Sequence, residues 1–248
     1  MSTGLKDGAE LNTSFEHLQE EFLPADCMNN VTVDNLILAM QEGKLKVLLA
    51  KYKHGLAANQ WGLIGHWVRN DEDLEAAANR VVTHTTGVKN FHLEQLAAFG
   101  NVNRYPLRRI ITVAFFALVR FEEANVVHSN STLEVDWFDI KKLPSLVFDH
   151  GSIVDSCLQH LKYKVRHEPV GFSLLPEKFT LLQLQEIYEA ILDIKLDKPN
   201  FRRKIQKMNL LINCKEKQKD VAHRAATLYR FDINVYEKLK EFGFNFEY

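Results

Sequence analysis

HWVRNDEDLEAAANRVVTHTTGV, residues 66–88, is the segment on which the architecture of this chain turns. Leu74, Ala77, Ala78, Val81 and Val82 recur at the three- and four-residue spacing that places side chains along one side of a helix. Gly87 follows the last of them, where a helix stops, because glycine enters the left-handed region without steric cost. WGLIGHW (61–67) leads in as a short apolar segment. Further upstream, VTVDNLILAM (31–40) and KLKVLLAKY (44–52) are rich in branched residues and separated by QEG, which predicts a hairpin. Downstream, FHLEQLAAF (91–99), IITVAFFALVRF (110–121) and TLEVDWFDI (132–140) read as further strands. The fold class is therefore α+β, with an α/β/α sandwich over residues 31–150. Residues 1–30 form an extension, in which 14–30 offer a short amphipathic helix around Phe15, Leu18 and Phe22, ending near Pro24.

The same segment resembles the Nudix box, Gly-x5-Glu-x7-Arg-Glu-apolar-x-Glu-Glu-x-Gly-apolar. Glu72 matches the first Glu, Arg80 the Arg, and Gly87 and Val88 the closing pair. His66 replaces the opening Gly, Val81 the Glu after the Arg, and His84 and Thr85 the paired Glu residues. The box presents carboxylates to a divalent metal that activates water against a diphosphate. Hard divalent ions need several oxygen ligands, and Glu72 alone does not supply them. The expectation is a Nudix-type domain with no metal site, no catalytic residues, no cofactor and no enzymatic activity.

From residue 151 the character changes. Residues 150–165 form an amphipathic helix, HEPVGFSLLPEKF (167–179) a connector, and Thr180 caps a helix reaching Leu192. A third helix, 198–209, carries Pro199 in its first turn, where the missing N–H costs little. LLINCKEKQKDVAHRAATLYRFD then reads as two strands around a basic loop. Helix, helix, turn, helix and hairpin make a winged helix-turn-helix over residues 151–248. At 100° per residue, Phe201, Ile205 and Met208 fall on one side of the third helix. Asn200, Arg203, Lys204 and Lys207 fall on another, as a recognition helix in the major groove requires. Arg203 and Lys204 suit guanine and Asn200 suits adenine. Lys198, Arg202, Thr180 and Arg224 are candidates for phosphate. Lys215, Lys217 and Lys219 alternate in the wing, so that all three point one way along an extended strand.

HLEQLAAFGNVNRYPLRRIITVAFFALV (92–119) is similar to the segment after the box in Nudix-related transcriptional regulators, at Glu94, Gln95, Leu96, Phe99, Gly100, Arg104, Pro106, Arg108, Ala117 and Leu118. LPSLVFDH, KFTLLQLQEIYEAIL and KPNFRRKI resemble the same family. The resemblance implies a homodimeric regulator that binds a palindromic double-stranded operator and senses a small metabolite in the Nudix domain. Members respond to ADP-ribose-type nucleotides or to pentoses. Because the metal site has decayed, a pentose such as arabinose or xylose is the expected effector and carbohydrate metabolism the expected setting. ADP-ribose, sensed or hydrolysed, is the alternative. Phe99, Arg104 and Arg108 are the expected effector contacts.

Charge agrees with this division. Residues 195–224 hold ten Lys or Arg and three Asp or Glu, a net of +7 within a chain whose net is −1. A basic block in an otherwise acidic chain fits a local polyanion site. Cys27, Cys157 and Cys214 are far apart and include no C-x-x-C, so neither a zinc ribbon nor a disulfide framework is expected. No apolar run approaches ~18 residues and the N-terminus lacks a secretory pattern, so the expected compartment is the cytoplasm, with no membrane partner.

Overall fold

In the computed structural model, residues 27–88, 91–121, 124, 134–219 and 225–241 are described. β1 (Cys27–Gln41) and β2 (Lys44–Lys51) form the expected antiparallel hairpin. Glu42 and Gly43 turn it with φ of 51° and 70°. Two successive left-handed residues give the hairpin turn whose twist matches its strands. The short helix expected within 14–30 and ending near Pro24 lies outside the described residues. Cys27 is already strand, paired with Arg69 of β4 (Ile64–Arg69).

Beyond β3 (Trp61–Gly62) and β4 the chain runs through α1 (Leu74–Thr86), β5 (Glu94–Phe99), β6 (Ile111–Arg120) and β7 (Glu134–Asp139). Among the described residues seven strands form one mixed sheet, ordered β3-β2-β1-β6-β5. β4 joins the N-terminal half of β1, and β7 joins β2. β1 and β6 run parallel, from Val31 opposite Ile111 to Met40 opposite Arg120.

Side chains alternate across a strand, so one sheet has two faces to cover. Val33, Ile37 and Ala39 of β1 pack with Ala77, Ala78, Val81 and Val82 of α1. Leu36 and Leu38 point the other way and meet Ile153, Val154, Cys157, Leu161 and Val165 of α2 (His150–His167). The helix over 150–165 thus forms the second outer layer of the sandwich. Asp73 starts α1, its Oδ1 accepting the N–H of Ala76 at 2.7 Å, and Gly87 ends it at φ 74°.

The C-terminal module begins with a capping box. The Thr180 hydroxyl accepts the N–H of Gln183 at 3.2 Å, and the N–H of Thr180 donates to Gln183 Oε1 at 2.8 Å, opening α3 (Leu181–Leu192). Asp197 caps α4 (Lys198–Lys207), its carboxylate accepting the N–H of Asn200 at 3.0 Å. β8 (Leu211–Lys217) and β9 (Thr227–Phe231) form the wing. Phe179 extends this hairpin with two backbone bonds of 2.8 Å to Tyr229. A further helix, α5 (Ile233–Glu241), packs Val235, Tyr236 and Leu239 onto the core. Val235, Tyr236 and Leu239 stand at three- and four-residue spacing, a helical signal in the sequence that the expected winged module did not include.

One hydrophobic cluster runs without a break from Leu36 and Val47 of the sheet to Leu184, Tyr188, Phe201 and Ile205 of the C-terminal module. Polar ties follow the same path. Arg120 Nε donates to the carbonyl of Leu175 at 2.6 Å, and Lys141 pairs with Asp193.

Candidate nucleic-acid interface and effector domain

The sequence of α4 sets its own orientation. Phe201 and Ile205 are 1% and 2% exposed, while Asn200, Arg203, Lys204 and Lys207 are all exposed. The apolar stripe therefore sits in the core and the basic stripe faces outward. Arg203 Nη2 donates to Asn200 Oδ1 at 2.6 Å, so two of the expected base-reading side chains touch each other. Lys198 is exposed at the start of the helix. Arg202 is half-buried on the flank, its Nε without a hydrogen-bond partner among the described residues.

Two expectations about the surrounding contacts are corrected. Thr180 is only 2% exposed with its hydroxyl in the capping box, which leaves no free surface for a phosphate. In the wing, the register shifts between Asn213 and Lys217, and Lys215 has φ 56°. The simple alternation of Lys215, Lys217 and Lys219 is thus interrupted, although all three are exposed. Glu216 lies among them and pairs with Lys178 at 2.8 Å. Arg224 lies outside the described residues.

In the Nudix-type part, Glu72 accepts from Arg80 Nε at 2.7 Å and from the N–H of Arg69 at 2.8 Å. The Arg80 guanidinium beside Glu72 holds the carboxyl below the usual carboxylate range. Arg80 also donates to the carbonyl of Trp67 at 3.0 Å. The matched Glu and Arg of the box thus staple the loop to its helix. Where the paired Glu residues belong, His84 is exposed and Thr85 is 3% exposed. The described residues contain no cluster of three or more His, Cys, Asp or Glu able to hold a metal ion. Divalent metal chemistry does not fit this donor set.

The expected effector residues separate. Phe99 is half-buried against the core. Arg104 is corrected outright. It is 7% exposed and makes a two-point ion pair with Asp149, Nε to Oδ2 at 3.0 Å and Nη2 to Oδ1 at 2.8 Å. Asp34 lies 3.4 Å from the same nitrogen. His150 completes the knot. Its Nδ1 accepts the N–H of Leu63 at 2.9 Å and its Nε2 lies 3.6 Å from Asp34. The Tyr52 hydroxyl donates to the carbonyl of Leu63 at 2.9 Å. Burial above all raises the pKa of that phenol, with the Asp34 charge adding to the effect. Arg108 remains half-buried, its guanidinium 4.5 Å from the Trp67 ring centroid.

Sequence reasoning missed Asp34, Asp149, His150 and Trp67. Asp34 did carry a signal. An acidic residue inside VTVDNLILAM, a strand apolar on both faces, requires a buried partner.

Sheet, helices and exposed ridge together define a Nudix-type domain continued into a winged helix. Residues 28–157 match the NUDIX domain, and residues 171–231 match the NrtR DNA-binding winged helix domain. The chain is 34% identical over 211 residues to the ADPR responsive transcriptional repressor NtrR of Acinetobacter baylyi, covering 84% of each chain. It is 29% identical over 124 residues to the ADP-ribose pyrophosphatase of Methanocaldococcus jannaschii, covering 50% of this chain and 70% of that one. The crystal structure of Shewanella oneidensis NrtR complexed with a 27mer DNA superposes with a TM-score of 0.71 and 29% identity, over 81% of this chain and 93% of that one. The chain belongs to the NrtR family of transcriptional regulators, in which a NUDIX domain precedes a DNA-binding winged helix.

Proposed function

We propose that this chain is a transcriptional repressor that binds operator DNA through α4 and the wing and releases it in response to ADP-ribose. The observation that carries the reading is the orientation of α4, which buries Phe201 and Ile205 and presents Asn200, Arg203, Lys204 and Lys207 to solvent. That ridge has the hydrogen-bonding groups that read base edges in a major groove. Lys198, Lys215, Lys217 and Lys219 flank it and supply salt-dependent phosphate contacts. A homodimer on a palindromic operator would place two such ridges on successive half-sites.

The effector reading moves from a pentose to ADP-ribose. Two relatives carry ADP-ribose in their names, and neither a pentose nor carbohydrate metabolism has support among the relatives. A decayed metal site does not by itself select a sugar. Losing the metal carboxylates removes the activation of water without deciding whether a nucleotide or a sugar is bound. The same loss underlies the proposal that the chain does not hydrolyse its effector. No described helix is long and apolar enough to cross a membrane, in keeping with a DNA-binding role.

The test is a mobility-shift titration against genomic fragments, with ADP-ribose, arabinose or xylose added. ADP-ribose should release the DNA and the pentoses should not. Release by a pentose alone would return the effector assignment to a sugar, and no binding to any fragment at low salt would end the DNA-binding reading.

A further inference from the structure

The described arginines of the Nudix-type part are almost all committed. Arg80 holds Glu72, Arg104 holds Asp149 and Asp34, and Arg120 holds the carbonyl of Leu175. Arg69 and Arg109 have interactions of their own. Arg108 differs. Its contact among the described residues is the Trp67 ring, over which its guanidinium lies at 4.5 Å.

Stacking uses the flat face of a guanidinium and leaves the in-plane N–H groups at its rim able to donate. A half-buried cation without a carboxylate among the described residues is costly, and burial pulls the Arg108 pKa below its usual value, partly offset by nearby Tyr105. An anion at that rim would relieve the cost with charge-assisted hydrogen bonds. The loop that carries Arg108 is anchored on both flanking contacts. Arg104, four residues earlier, anchors it to β1 and to the start of α2, and the Tyr105 ring packs 5.0 Å from Phe148. Phe148 is itself 40% exposed.

We propose that Arg108, stacked on Trp67, is the anion-binding group of the effector site and holds a phosphate or diphosphate without a metal ion. This rests on the ADP-ribose reading and deepens it by placing the charged part of the effector. Trp67 is a positioning residue that fixes the plane of the guanidinium, and Arg104 fixes the loop.

The test is calorimetric titration of the full chain, in EDTA, with ADP-ribose and separately with pyrophosphate. It compares the unchanged protein with Arg108→Gln, Arg108→Lys, Trp67→Phe and Arg109→Gln, each checked for an unaltered melting midpoint. Binding of both ligands in EDTA is expected, with roughly tenfold weakening or more for Arg108→Gln, partial recovery for Arg108→Lys and a smaller loss for Trp67→Phe. Undiminished binding by Arg108→Gln, an equal loss in Arg109→Gln, or binding that needs magnesium would overturn the proposal. Arg108-dependent binding of pyrophosphate without any binding of ADP-ribose would keep the anion site and end the ADP-ribose reading. If neither ligand binds the unchanged protein, both fall.

Discussion

At α4 a rotation of about 100° per residue separates the side chains that hold the helix from those turned outward, which are the proposed reading face. Changing both Arg203 and Lys204 to Ala should weaken operator binding by ~1–3 kcal/mol for each base that is no longer read, with a smaller effect on random DNA. Operator affinity equal to that of the unchanged protein, in a filter or shift assay, would show that the reading face is elsewhere. In the Nudix-type part, the residues of interest are ones that permit a buried charge. A Cβ on Gly65 would lie 2.0 Å from Asp34 Oδ1, so Gly65→Ala must displace the ion knot or the strand. A loss of ~1–3 kcal/mol is expected in denaturant unfolding, and an unchanged midpoint would mean the knot moves aside freely. His150 makes the knot sensitive to acid. Burial chiefly, against the opposing pull of Asp34, depresses its pKa below the usual 6.5, so the folded chain keeps the ring neutral. A depressed native pKa gives stability that is present above the unfolded value and is lost as pH falls and the unfolded ring takes up its proton. Melting temperature should therefore drop from about pH 7 to about pH 5 more steeply in the unchanged protein than in His150→Gln. Parallel curves would remove His150 from the account.

Among the elements, the wing and α4 play different physical parts. α4 is fixed by the Asp197 cap at its start and by two buried anchors, so its outward groups are held in a fixed register. The wing carries its lysines on a strand with a shifted register, with Glu216 among them, which suits a uniform phosphate backbone better than the reading of bases. Lys217→Ala should weaken binding to operator and random DNA alike and reduce the slope of log affinity against log salt by about one phosphate's worth. A loss confined to the operator would place Lys217 in the reading set. α1 keeps the shape of the box without its paired carboxylates. Its cap at Asp73, its stop at Gly87 and the Glu72–Arg80 staple keep the loop-and-helix shape, while Val81 and Thr85 turn positions for carboxylates into packing.

The continuous cluster from Leu36 to Ile205 ties the Nudix-type domain and the winged helix into one packed body. Burying each large apolar side chain contributes ~1.5–3 kcal/mol, so separating the two parts within a chain exposes more than a weak ligand can offset. Calorimetric melting should show a single transition, raised by ADP-ribose by an amount equivalent to about 2.7 kcal/mol at a hundredfold excess over Kd. Two resolved transitions, only one of them shifted by ADP-ribose, would mean that the module unfolds apart from the Nudix-type domain.

The helix over 74–86 and its stop, the β1–β2 hairpin and the sides of α4 were legible in the residues, because they depend on neighbours three or four positions apart or on turn residues within the segment. The missing carboxylates were legible for the same reason, since a motif with fixed spacing fails visibly when its residues change. Arg104, Arg108 and Thr180 all read as polar groups able to meet a ligand. Only the tertiary structure separated them, burying Arg104 against Asp34 and Asp149, stacking Arg108 on Trp67 and enclosing the Thr180 cap. Asp34 and Asp149 lie 70 and 45 residues from Arg104 in the chain, and partners so distant leave no local periodicity. Whether a charge is buried or offered to solvent depends on which distant strand or helix folds over it.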